Sequence, residues 1–250
     1  MIDILHQKPL LGRQINWAHP LAFKDILEGC WIMNERSGSK IYDLSGFGRH
    51  GPLTNVNWTV TQEGSGINFD PADNGYIQVS TAGILSTLPN ATVEGIVRQD
   101  TVAPGTGSPL YCERNAGTPI WKFQVRDLQE TLQFTHRDNA SQLTRLYGIK
   151  DIVDGNYHHI VMRKEGTNIQ FYIDGIFDFE GTLLGTDTLS TGNVRIGDDA
   201  NDVNAEWDGD IVLVRIYSDT ISPDNIAWLS REPYAMFQQN RVRRFSVTGG

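Results

Sequence analysis

Between Asp198 and Asp210 the chain carries six carboxylates (Asp198, Asp199, Asp202, Glu206, Asp208, Asp210), two asparagines and no base. Hard cations take oxygen ligands, so Asp198, Asp199, Asp202, Glu206 and Asp208 form a candidate calcium site. The spacing is not that of an EF-hand loop, and an acidic, solubilising loop explains the same residues. The end of the run, Glu206-Trp207-Asp208-Gly209-Asp210, alternates acids on what would be one face of a strand. Glycosidic hydrolysis needs such a pair, one acid protonated and a second carboxylate about 5 Å away. This triplet stands at the entry to a strand, where a solvated loop accounts for it, and catalysis is not expected.

His158 and His159 are adjacent in a strand-like segment. Alternation sends them to opposite faces, so they cannot chelate one metal, and only one of the two is expected in a core. Trp58, Tyr111, Trp121 and Trp207 lie nearest to loops or strand ends and are the candidates for stacking on sugar rings, although sandwich tryptophans are commonly core. Arg49 and His50 stand with Gly46 in a glycine-rich loop that could face a ligand. Cys30 and Cys112 are far apart in sequence and read as buried thiols rather than a disulfide or metal pair. The sequence contains no nucleophile elbow, P-loop, dinucleotide fingerprint or zinc motif.

The elements that must position these residues are strands. In YHHIVMRKEGTNIQFYIDG, residues 157 to 175, two alternating runs flank Glu165-Gly166-Thr167-Asn168, which predicts a hairpin. Asp174-Gly175 then predicts a type I′ turn into a third strand at Ile176 to Phe179. Further strands are predicted at Leu27 to Asn34, Ile67 to Phe69, Tyr76 to Ser80, Thr92 to Arg98, Pro109 to Arg114, Ile120 to Arg126, Thr131 to His136, Leu143 to Tyr147, Asn193 to Gly197 and Gly209 to Tyr217. One helix is predicted from Pro223 to about Arg231, with Ser222 as cap and Asp224 complementing the dipole. Many short strands punctuated by Gly, Pro, Asn and Asp define an all-β sandwich or barrel.

With 250 residues, 39% hydrophobic content and a formal charge of −9, the chain can bury a large core and is not built for a nucleic-acid backbone. No apolar run is long enough to span a bilayer. The first ten residues lack the apolar stretch of a secretion signal, so the outside of a cell is expected to be reached by lysis, by a non-classical route or as part of a particle. Three segments are expected: an arm at 1–26, a sandwich at 27–232 and an arginine-bearing tail at 233–250. Leu10, Leu11 and Trp17 in the arm, with Phe237, Arg241, Arg243 and Arg244 in the tail, are the expected partner-docking residues.

Four stretches, GCWIMNERSG at 29–38, YDLSGFGRHGPL at 42–53, NYHHIVMRKEGTNIQFYIDG at 156–175 and WDGDIVLVRIYSDTIS at 207–222, resemble the laminin G-like branch of the concanavalin A-like lectin and glucanase superfamily. The resemblance implies a jelly roll of two antiparallel sheets, with binding sites on the concave face or its rim. It also implies that one histidine of the pair is buried with a hydrogen-bond partner. Val212 and Leu213 stand where relatives often carry two acids, one of which helps hold a structural calcium in related sandwiches. In hydrolytic relatives the carboxylate motif lies on a mid-chain strand and ends in Glu, unlike this triplet. Such domains with terminal extensions resemble bacteriophage decoration or head-fibre proteins. The expected function is therefore a non-catalytic recognition module on a larger assembly, such as a capsid, with glycans as further partners and an oligomer possible. A free carbohydrate-binding lectin is the alternative, and a glycoside hydrolase the second. No cofactor other than calcium is expected.

Overall fold

The computed structural model of the chain describes residues 8–102, 107–115, 118–126, 129–185, 190–199 and 205–237. The strands are β1 (Leu27–Trp31), β2 (Lys40–Ile41), β3 (Gly51–Thr54), β4 (Asn57–Thr61), β5 (Gly64–Phe69), β6 (Tyr76–Ser80), β7 (Asn90–Gln99) and β8 (Gly107–Asn115). They continue as β9 (Thr118–Arg126), β10 (Thr131–Arg137), β11 (Leu143–Asp151), β12 (His158–Glu165), β13 (Asn168–Ile173), β14 (Ile176–Thr182), β15 (Val194–Ile196) and β16 (Gly209–Tyr217). The helix α1 (Pro223–Arg231) follows, its first turn capped by the Ser222 hydroxyl, which accepts from Asn225 N at 3.3 Å.

Two eight-stranded antiparallel sheets result. Sheet I runs β14-β13-β12-β7-β16-β5-β4, and β1 shares the edge of β16 with β5. Sheet II runs β11-β10-β9-β8-β15-β6-β3-β2. This is the expected jelly-roll sandwich. Its central meander turns where the sequence requires: Asp174 and Gly175 both take positive φ, 55° and 78°, between the paired Ile173 and Ile176. The preceding hairpin is tighter than the expected four-residue loop, because Glu165 pairs directly with Asn168 across Gly166-Thr167.

The glycine-rich loop from Tyr42 to Gly51 lies between β2 and β3, with β3 starting at Gly51 and β4 following; all three strands are short and lack clear alternation. Gly51 shows why β3 fits: a Cβ there would meet Ile77 Cγ2 at 2.4 Å, so only hydrogen lets the backbone lie on β6.

The core between the sheets holds Trp31, Phe69, Trp121, Phe123, Phe134, Phe171 and Trp207 among many aliphatic residues. A second apolar cluster lies on the opposite face of sheet I. There Ile15, Leu21 and Ala22 from the N-terminal arm, Ile226 and Leu229 from α1, and Tyr234–Phe237 cover Ile96, Val161, Tyr172, Val212 and Tyr217. Asn16 N donates to Met236 O at 2.8 Å, joining the two terminal segments. Sheet I is therefore buried on both faces, and all nine residues of β16 are buried.

Candidate functional site

Three of the four stacking candidates are core residues. Tyr111, Trp121 and Trp207 have no exposed surface, because Tyr111 on β8, Trp121 on β9 and Trp207 just before β16 point between the sheets. Trp121 packs edge-on to Phe134, with centroids 4.8 Å apart, and to Tyr111 at 5.8 Å. Trp207 Nε1 donates to Arg98 O at 3.1 Å. Trp58 is half-buried against the core, and its indole donates to Gly38 O at 2.9 Å.

Arg49 and His50 are bound into their own loop. The Asp43 carboxylate accepts from the N–H groups of Cys30, Ser45 and Arg49, while His50 Nδ1 accepts from Asp43 N at 3.1 Å. Arg49 pairs with Glu28 at 3.1 Å and lies over the Phe47 ring. The stretch from Tyr42 to Leu53 is thus a carboxylate-centred knot that orders a turn.

The acidic loop is neutralised by protein cations. Asp199 is held between Arg114 and Lys122, the latter at 2.6 Å, and Asp198 is paired with Arg195. Calcium at these two residues would have to displace three bases. Asp208 accepts from the Thr101 hydroxyl, Glu206 is buried beside Asp198 in an isolated bridge, and Asp202 lies outside the described residues. Among the described residues no three His, Cys, Asp or Glu side chains are grouped to hold a metal. Asp210, the third member of the alternating triplet, is bound by the Tyr157 hydroxyl at 2.5 Å, Asn68 Nδ2 at 2.9 Å and Arg98 at 3.2 Å.

Both histidines are buried, against the expectation of one. The terminal segments cover the outer side of sheet I, so neither face of β12 is free. His159 Nε2 lies 2.7 Å from Glu94, which also receives the Tyr217 hydroxyl and Arg215 Nε at 2.5 Å each. Burial pushes the Glu94 carboxyl up, but Arg215 and then His159 and Tyr217 outweigh it and leave Glu94 below the ordinary carboxylate range. His158 bridges Asp174 at 2.8 Å and Asp154 at 3.1 Å, and the Asp174 bond raises its pKa against the opposing effect of burial.

Polar and aromatic groups also meet on the outer face of sheet II, where Cys112, Lys122, Gln124, Gln133 and Thr135 are buried and Arg145 and Tyr147 are exposed, and most of it was not anticipated. Cross-strand pairing sets Arg145 (β11), Thr135 (β10), Lys122 (β9), Cys112 (β8), Arg195 (β15) and Gln78 (β6) side by side. A parallel row sets Tyr147 beside Gln133 and Gln124. At about 4.8 Å between strands, the first row spans roughly 19 Å from Arg145 to Arg195. Gln124 Nε2 donates to Gln133 Oε1, while Gln124 Oε1 and Gln133 Nε2 are buried with no partner among the described residues. Arg195 lies 3.6 Å over the Tyr76 ring. Tyr147 is 38% exposed, and the exposed Arg145 makes no hydrogen bond or ion pair among the described residues. Alternation in LTRLYGI would have placed Arg145 and Tyr147 on one face, but not which face looks away from the core.

Leu10 and Leu11 are 67% and 65% exposed and Trp17 is 38% exposed, although their arm is anchored. Lys8 Nζ donates to Ser65 O, to Val212 O at 2.7 Å and to Met33 O at 3.4 Å. Phe237, expected to dock on a partner, is instead only 6% exposed within the second cluster, because it closes the apolar face of sheet I. Arg241, Arg243 and Arg244 lie outside the described residues. No helix among the described residues is long and apolar enough to cross a membrane.

Two facing antiparallel layers with a polar outer sheet define a β-sandwich of the lectin kind. The chain belongs to the Laminin_G_3 family of the concanavalin A-like lectin/glucanases superfamily, whose model matches residues 71–227. No curated protein matches it in sequence. Domain 4 of AbnA, an extracellular arabinanase of glycoside hydrolase family 43 from Geobacillus stearothermophilus solved with arabinotriose, is similar in fold, with 16% identity and TM-score 0.64 over 82% of this chain and 98% of that one. So is the binding domain of Paraclostridial Mosquitocidal Protein 1, with 14% identity and TM-score 0.63 over 85% of this chain and 53% of that one. The binding domain of Botulinum Neurotoxin DC, solved with SialylT, has 13% identity and TM-score 0.61 over 83% and 51%. The chain thus spans about half the length of the two toxin domains.

Proposed function

We propose that this protein is a non-catalytic recognition module that binds saccharide on the outer face of sheet II and is displayed on a larger assembly. The observation that carries the reading is the juxtaposition of the exposed Tyr147 ring and the exposed Arg145 guanidinium, which has no partner among the described residues, on one sheet face. An aromatic ring beside a guanidinium offers stacking and directional hydrogen bonds, which is what a polyhydroxylated ring needs. The similar domains solved with arabinotriose and SialylT support a binding role. The Asp208 and Asp210 carboxylates are engaged elsewhere and Glu206 is buried, which favours binding over hydrolysis. Binding to a glycan array, abolished by Tyr147→Ala with the unfolding midpoint unchanged, is the expected result. An array without signal sinks the proposal.

The assembly we propose is a bacteriophage virion surface, reached through the anchored N-terminal arm. Its exposed Leu10, Leu11 and Trp17 supply apolar contacts on a fixed base. Removing whole termini would strip the second apolar cluster, so the test uses Leu10→Ser with Leu11→Ser. Loss of particle incorporation with retained folding supports display, and unchanged incorporation refutes it.

A further inference from the structure

We infer that β4 is a self-association edge, on which a second copy of this chain pairs antiparallel about a two-fold axis centred on Thr59.

The strand stands at one end of sheet I, and Asn57 to Thr61 pair with β5 without a register shift. Thr61 faces Gly64 across a two-residue turn. Residues flanking such a turn exchange hydrogen bonds, so alternation ties Asn57, Thr59 and Thr61 to β5. The N–H and C=O groups of Trp58 and Val60 therefore point away from the sheet, and no bond among the described residues takes them up. An unpaired row of this kind is a template for another strand.

The other sheet edges are guarded. β14 and β11 stand side by side, and the Asp178 carboxylate on β14 accepts from Ile149 N and Lys150 N of β11 at 3.0 and 2.9 Å. The free side of β1 is taken by the Asp43 loop: Cys30 N donates to the Asp43 carboxylate and Cys30 O accepts from Leu44 N at 2.9 Å. β2 has only two residues, one of them the exposed Lys40. Short edges and lysines discourage strand addition. β4, by contrast, reads Asn-Trp-Thr-Val-Thr, with no charge, no proline and a run of aromatic and β-branched residues that favour strands.

The occupant that matches this edge is the edge itself. A two-fold axis centred on Thr59 sets Trp58 of each copy opposite Val60 of the other, so every outward group of both strands finds a partner. A register centred on Trp58 or on Val60 leaves the other of the two facing a residue outside β4. Opposed residues share a face. Val60, on the Trp58 face of β4 and 88% exposed, becomes covered by the indole of the second copy, an aromatic and β-branched pairing. Thr59 meets Thr59 on the other face, where the hydroxyls can bond across the axis. A formal charge of −9 per copy opposes association, so the contact falls on a strand that carries no charge.

Sedimentation velocity of the full chain over a concentration series reads the equilibrium, and a contact of this size predicts a dissociation constant on the order of micromolar. Val60→Pro removes an outward N–H and no bond to β5, and should weaken dimerisation about tenfold or more with the unfolding midpoint unchanged. Thr59→Lys and Thr59→Glu each set like charges face to face across the axis and should weaken it about fivefold, while an equimolar mixture of the two should recover wild-type affinity or better. A chain that stays monomeric throughout the series overturns the inference, as does a dimer indifferent to Val60→Pro. Failure of the mixture to recover overturns the two-fold register.

Discussion

Glu94 is the most consequential single side chain in the fold, and the cost of altering it follows from its partners. It sits on β7 with 0% relative exposure, and Arg215, also 0% exposed, has its Nε 2.5 Å away. Glu94→Gln keeps the shape and still accepts from the Tyr217 hydroxyl, but strands the Arg215 guanidinium in an apolar layer under Met236 and Tyr234. Removing one partner of a buried ion pair costs about 3–5 kcal/mol, because the remaining charge has left water without compensation. With a urea dependence of about 2–3 kcal/mol per molar for a domain of this size, the unfolding midpoint should fall by about 1–2 M. Adding Arg215→Met to Glu94→Gln removes the stranded charge and should recover most of the loss. A Glu94→Gln midpoint within about 0.3 M of the wild type, or a double variant weaker than the single, would refute the reasoning.

Other expectations follow from the same face and from the anchored arm. Met236→Ala should cost about 2–5 kcal/mol in a denaturant titration, since the residue is fully buried against sheet I, and a loss under 1 kcal/mol would contradict its packing role. Burial lowers the Lys8 amine from its model-peptide value of 10.5 to about 7. The folded state therefore holds fewer protons than the unfolded one between those values, and stability should rise with pH there by up to about 1.4 kcal/mol per unit. Comparison of wild type with Lys8→Met from pH 7 to 10 reads that slope, and a constant difference would count against it. His158 is raised by its bond to Asp174, so its contribution is complete below the unfolded value near 6.5 and lost as pH climbs through the folded pKa. Asp174→Asn should flatten that loss in a pH series of thermal midpoints. Asp43→Ala strands the N–H groups of Cys30, Ser45 and Arg49 and should destabilise by about 2–4 kcal/mol, measurable by the same titration.

Local chemistry alone determined a good deal of this protein. Asp174-Gly175 specifies its turn because few other dipeptides accept positive φ at both positions, and Ser222-Pro223-Asp224 starts α1 because each residue suits one position of a helix entry. The alternating and apolar runs marked most strands, and with four short stretches they identified the superfamily. What alternation cannot say is which of two faces is covered. Trp121, Tyr111 and Trp207 point inward, and Arg145 and Tyr147 outward, by a parity that only the stacking of two sheets assigns. Both His158 and His159 are buried because residues from the two ends of the chain meet on the outer side of sheet I. Asp198 and Asp199 read as cation ligands in isolation, but strands far away in sequence supply Arg114 and Lys122 to neutralise Asp199. Periodicity is a property of neighbours along the chain, whereas burial and charge pairing depend on what the fold brings across from elsewhere.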